Sequence, residues 1–116
     1  MYAIMDNIFG DEAFVQRLKK QIDGKKVVVY GMTTVGKALA SRLKNEDLLA
    51  YCMDRKMDGV EYMGVPIYGI NHFEDMDKDV AVVIALHWSE DVIKRMLERA
   101  GYQNPILRVR DLTGVK

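Results

Sequence analysis

At 116 residues the chain fits one domain of ordinary size, too short for a nucleotide-binding unit joined to a separate catalytic domain. Lys plus Arg equal Asp plus Glu at 17 each, so no net field steers the protein toward nucleic acid or an anionic membrane. An apolar share of 49% without any run near ~18 consecutive apolar residues argues against a membrane span. The first residues lack a basic stretch leading into an apolar one, and the single Cys52 rules out an internal disulfide framework. A soluble protein of a reducing, cytoplasmic setting is therefore expected.

The elements alternate along the chain. From Asp11 to Ile22, Phe14, Leu18 and Ile22 recur at helical spacing and Gly24 supplies a stop, which predicts a helix. Lys25 to Tyr30 is a β-branched run ending at Gly31, and Val35, Ala38, Leu39 and Leu43 then follow with helical spacing. Strand, tight turn and helix are expected there. Leu48 to Met53 is apolar without alternation, as a strand covered on both faces requires, and it ends at Asp54. Val65-Pro66-Ile67-Tyr68 predicts a short third strand, peripheral because proline is tolerated at a strand start or edge. Val80 to Leu86, the most apolar stretch, belongs at the sheet centre beside the first strand. Ser89 caps a last helix whose buried stripe is Ile93, Met96, Leu97 and Ala100, with Gly101 as its stop. Ile106 to Val109 supplies the fifth strand.

Right-handed crossovers restrict the topology to an α/β, Rossmann-like three-layer sandwich. It would have a mainly parallel five-stranded sheet in the order 3-2-1-4-5, with residues 1–24 as an N-terminal helical arm and 25–116 as the nucleotide-binding-type domain. The strand order changes direction between strands 1 and 4, and a ligand crevice is expected at their carboxyl ends.

Three groups should converge on that crevice. Gly31-Met32-Thr33-Thr34-Val35-Gly36 reads G-x-T-x-x-G in place of the dinucleotide G-x-G-x-x-G. Gly31 permits the sharp turn, Gly36 permits close helix–sheet approach, and Thr33 puts a Cβ where backbone would otherwise near a pyrophosphate. Its hydroxyl, Thr34 and the following helix N-terminus still offer donors to a phosphate. The alternative is that both glycines serve only packing. Asp54 lies 18 positions after Gly36, close to the separation of about 20 at which an acid meets a ribose hydroxyl. Arg55 is a phosphate partner or a surface cation, and Asp54 itself could be an ordinary loop acid such as Asp58. Leu86, His87 and Trp88 form the rim at the end of the central strand, where His87 could act as acid, base or base-stacking partner or be a rim residue without chemistry.

The turn also falls one residue short of a P-loop, because Ala38 has no hydroxyl for Mg²⁺. No nucleophile–base set is assembled, and no metal-ligand spacing joins His72, His87 and Cys52, so catalytic and metal residues are expected to be absent. His72 reads as a loop residue and Cys52 as core filler. Met5, Met53, Met57, Met63 and Met76 read as gap fillers because their spacing is not helical.

Val27 to Gly31 with Thr33 and Gly36, Tyr51-Cys52-Met53-Asp54, Gly64 to Gly69, Val80 to Ala85 and Ser89 to Gly101 together resemble a known group of domains. These are the Rossmann-like nucleotide-sugar-binding domains at the N-termini of sialic-acid-type sugar acetyltransferases. Similar modules accompany methyltransferases and glycosyltransferases of surface-polysaccharide biosynthesis. The resemblance spans about residues 25 to 110. It implies a uridine-nucleotide ligand held by Gly31, Thr33, Gly36 and Asp54. Thr33 departs from the usual middle glycine, and no left-handed β-helix follows, so transferase chemistry would come from a companion catalytic domain.

Three functions follow as expectations. One is a non-catalytic nucleotide or nucleotide-sugar binding module of a larger transferase. Another is a small NAD(P)-dependent enzyme or redox sensor, with Arg55 reading a 2′-phosphate. The last is a ligand-free assembly domain whose first helix, with Phe14, Leu18 and Ile22, could pack at a homodimer interface as easily as on its own sheet.

Overall fold

The computed structural model describes residues 12–56, 58–86, 90–104 and 106–109. In chain order the elements are α1 (Glu12–Ile22), β1 (Val27–Tyr30), α2 (Thr34–Asn45), β2 (Leu49–Met53), β3 (Glu61–Tyr62) and β4 (Val65–Tyr68). A 3₁₀ helix (Ile70–Asp75), β5 (Ala81–Ile84), α3 (Glu90–Arg99) and β6 (Ile106–Arg108) complete them.

One six-stranded sheet runs β3-β4-β2-β1-β5-β6. Every pairing is parallel except β3 with β4. The five expected strands keep their 3-2-1-4-5 order, and β3 is an addition outside them. It corrects the expectation that Val65–Tyr68 is peripheral. The tolerance of Pro66 has a different cause. Ile67 donates its N–H to Val60 across the hairpin at 2.8 Å. Neighbouring residues point their backbone groups to opposite sides, so the Pro66 nitrogen faces β2. The β2 ladder begins one residue later, at Cys52 opposite Ile67.

Strand alternation divides the core in two. Val27, Val29, Cys52, Ala81 and Val83 face one side with Phe14, Leu18 and Ile22 of α1 and Leu39, Ala40 and Leu43 of α2. Val28, Tyr30, Tyr51, Met53, Val82 and Ile84 face the other with Phe73 of the 3₁₀ helix, Ile93 and Leu97 of α3, and Tyr102. All four residues of β1 and of β5 are buried, which is why these strands read as unbroken apolar runs. At about 1.5–3 kcal/mol for each fully buried aliphatic side chain, the two faces supply the main driving force for folding.

The apolar face of α1 is buried against its own sheet. That stripe is therefore not free to form the homodimer interface considered above. The Ser89 cap expected for α3 lies outside the described residues, as do Met5, Met57, His87 and Trp88. Met53 is buried, but Met63 stands exposed at the β3–β4 turn instead of filling a gap.

Candidate functional site

The sheet's hydrogen bonding continues past the strands at their carboxyl edge. Gly31 donates its N–H to the Met53 carbonyl and Ala85 donates to the Tyr30 carbonyl, both at 2.8 Å, while Asp54 donates to the Tyr68 carbonyl at 3.0 Å. The carboxyl ends of β5, β1, β2 and β4, where the ligand crevice is expected, are thus tied strand to strand. Out of this floor the chain turns at Gly31, whose φ of +102° is one that residues bearing a Cβ rarely adopt.

Thr33 caps α2. Its hydroxyl accepts the Gly36 N–H at 3.1 Å and donates to the Ala85 carbonyl at 3.0 Å. The Thr33 carbonyl accepts the Lys37 N–H at 2.8 Å. Gly36 is required sterically, because an added Cβ would overlap the Gly31 carbonyl oxygen and stand 3.3 Å from Ala85 Cβ. The first helical amides, those of Thr34 and Val35, have no intrahelical acceptor by the geometry of a helix start. Thr34 itself is exposed.

Asp54 joins the turn directly. Its Oδ2 accepts the Met32 N–H at 2.7 Å and its Oδ1 accepts the Lys56 N–H at 2.8 Å. The acid ending β2 and the glycine turn ending β1 are therefore one constellation. Arg55 and Lys56 follow as exposed cations. Below them Tyr30 is buried, and its phenol is raised above its ordinary pKa first by that burial and then by the Asp54 charge, with Arg55 opposing.

A second polar cluster lies one strand further along the same edge. Asp58 accepts the Gly69 N–H through Oδ1 at 2.9 Å and meets His72 Nε2 through Oδ2 at 3.0 Å. The Gly69 N–H bond, then the His72 bond, hold the Asp58 carboxyl below its ordinary pKa. His72 lies in the 3₁₀ helix with its ring edge-on to Tyr68, and Asp58 staples a loop to β4. His72, expected in a loop, lies in that short helix, and Asp58 is a loop acid as expected. Cys52 is buried, and burial pushes its thiol up to about 11, in keeping with core filling.

Of the residues expected at the crevice, Gly31, Thr33, Gly36 and Asp54 are brought together, with Thr34 and Arg55 at the margin. His87 falls outside the described residues. Sequence reasoning missed the Met32 amide and the Ala85 carbonyl, whereas Leu86, expected on the crevice rim, has its side chain over Gly31. A backbone group leaves no mark in a sequence. Among the described residues no cluster of His, Cys, Asp or Glu could hold a metal ion. Nor is any described helix long and apolar enough to cross a membrane.

No protein-family model matches the chain, and no curated protein matches its sequence. Among solved structures it is similar to a Rex-family repressor, with TM-score 0.57 and 15% identity over 72% of this chain and 51% of that one. It is also similar to a dipicolinate synthase chain from Bacillus halodurans, with TM-score 0.52 and 14% identity over 98% of this chain and 51% of that one. The fold is Rossmann-like. The chain spans about half the length of either structure, and at such identities the likeness concerns the fold alone. Neither structure is a sugar acetyltransferase, so a link to sugar transfer stands only on the sequence resemblance.

Proposed function

We propose that the chain is a non-catalytic nucleotide-binding module. Its ligand lies in the crevice at the carboxyl ends of β1, β2 and β5, with the ribose at Asp54 and a phosphate before the N-terminus of α2. The observation that carries this is the 2.7 Å bond from the Met32 amide to Asp54, which brings the acid of β2 onto the glycine turn of β1. Open α/β sheets bind ligands where strand order reverses, and a helix N-terminus favours an anion through its free amides and dipole. Gly31, Thr33, Thr34, Gly36, Asp54 and Arg55 are the residues assigned to the site, and His87 stays with it on its sequence position. In its finer form the ligand is a uridine nucleotide-sugar presented to a companion transferase of polysaccharide biosynthesis. That form is supported by the sequence resemblance.

A second reading is favoured by the exposed Arg55 and Lys56 beside Asp54, two cations suited to the 2′-phosphate of NADP(H).

A thermal-shift panel of uridine and adenine nucleotides, sugar nucleotides, NAD(H) and NADP(H) tests both, because a ligand of the native state must raise the midpoint. At a hundred times its Kd a ligand adds about 2.7 kcal/mol, enough for a clear shift. Uridine nucleotides shifting the wild type but not Asp54→Ala would support the first reading. A selective shift by NADP(H), lost in Arg55→Ala, would support the second. A well-folded protein unmoved by every compound would refute both.

A further inference from the structure

The crevice has two unlike sides. Toward β2 it is polar, with the Asp54 carboxylate against the Met32 amide and Arg55 exposed beside it. Toward β5, Ala85 and Leu86 pack onto the turn. Thr33 Oγ1 donates to the Ala85 carbonyl at 3.0 Å while accepting the Gly36 N–H at 3.1 Å. Leu86 covers the start of the turn, for a Cβ on Gly31 would stand 2.8 Å from its Cγ and 2.9 Å from its Cδ2. The first turn of α2 closes on the same strand end, with Ala85 Cβ 3.3 Å from the place of a Gly36 Cβ.

We infer that Leu86 and the Thr33–Ala85 bridge determine specificity by confining the ligand to the β2 side, so that the crevice takes a single nucleotide and offers no seat to the second half of a dinucleotide. The inference rests on the nucleotide-binding reading above and states which class of nucleotide the site accepts. A dinucleotide reaches from β2 across the switch point to β5, and its diphosphate must pass over the glycine turn. Here that path meets two obstacles. Thr33 sets a Cβ at the point of closest approach, and the one proton of its hydroxyl is already donated to Ala85. Leu86 presents carbon where a phosphate would surrender water, and a charge desolvated without a partner is strongly disfavoured. Whatever group extends from the nucleotide's phosphates therefore stays outside the crevice.

Calorimetric titration of the full chain with two ligand pairs tests the inference. ADP is compared with NAD⁺, and UDP with diuridine diphosphate, so that each dinucleotide is measured against its own half. In the wild type the dinucleotide is expected to bind no more than about threefold more tightly than its half, the second nucleoside adding no contact energy. In Leu86→Ala the ratio of the two affinities should shift at least tenfold toward the dinucleotide. A wild-type dinucleotide binding tenfold or more tightly than its half would overturn the inference and leave nucleotide binding standing. So would an unchanged ratio in a folded Leu86→Ala protein. Binding of none of the four compounds would overturn the nucleotide reading itself, and the inference with it. If Leu86→Ala fails to fold, the wild-type ratio decides.

Discussion

Gly36→Ala sets two physical arguments against each other. Gly36 sits inside the first turn of α2 and does not have a positive φ. Helix propensity alone therefore favours alanine, by about 1 kcal/mol. The structure predicts the opposite sign. The added methyl would overlap the Gly31 carbonyl oxygen, which is backbone held by the Gly31–Met53 bond and cannot swing aside like a flexible side chain. Overpacking of a tight site costs typically 1–3 kcal/mol, and a rigid backbone neighbour puts this case at about 3. Moving the helix away would also pull the Gly36 amide off Thr33 Oγ1, and loss of an N-cap adds about 1 kcal/mol. The net expectation is a destabilisation of about 3 kcal/mol, or roughly 12 °C in midpoint for a domain of this size. Thermal and urea unfolding followed by circular dichroism would measure it. A midpoint unchanged or raised in Gly36→Ala would refute the close approach of helix and turn on which the site's geometry depends.

Four further outcomes are expected. Met63 has a φ of +53° in the β3–β4 turn, so Met63→Asn, which tolerates that conformation better, should stabilise by about 0.5–1 kcal/mol in urea unfolding. Tyr102→Phe removes a buried hydroxyl that donates to the Val80 carbonyl and accepts the Val82 N–H. The Val82 N–H would lose its partner and the Val80 carbonyl would keep only the 3.3 Å bond from Asn104 Nδ2, at a cost of about 1–3 kcal/mol by the same measurement. Asp58 has a lowered folded pKa, so its contribution is present above the unfolded carboxylate value and is lost as pH falls through the folded one. Stability titrated from neutral into acid should therefore decline less steeply in Asp58→Asn than in the wild type, and an identical acid limb in both would count against the Asp58 staple. Cys52, with its thiol pushed up to about 11 by burial, should react with a disulfide reagent at pH 8 at least about a hundredfold more slowly in the native protein than in urea.

What was legible in the sequence follows from what a sequence encodes. β1, β2 and β5 are buried on both faces and show as apolar runs, and α1 and α2 show their stripes because one face of each meets the sheet. The stripe on α1 does not name its partner, so a dimer interface and the chain's own sheet read alike. β3 escaped because two residues, Glu61 and Tyr62, are too few for a periodic signal. Its hairpin also turns on Met63-Gly64, both at positive φ, where Asn-Gly would have announced the turn. Asp54 was found by its spacing from the glycine turn. What it touches was not, because the Met32 amide belongs to the backbone. Thr33 was read as a free donor to phosphate, whereas its acceptor, the Ala85 carbonyl, lies 52 positions away and comes within reach only when β1 and β5 pair.

Asp54 and Thr33 both hold the turn together, but they differ in what they leave for a ligand. A carboxylate has about four lone-pair sites, and Asp54 spends one on the Met32 amide and one on that of Lys56. Each oxygen retains an acceptor site, so two ribose hydroxyls could donate to it without breaking either bond. The Thr33 hydroxyl has a single proton, already given to Ala85, and an anion could use it only by taking that bond away. A ribose would therefore meet the turn as it stands, with little to reorganise and correspondingly little affinity lost to ordering. A phosphate must look instead to the amides at the start of α2. On the proposed reading, this asymmetry would orient a nucleotide with its sugar toward β2 and its phosphate toward the helix.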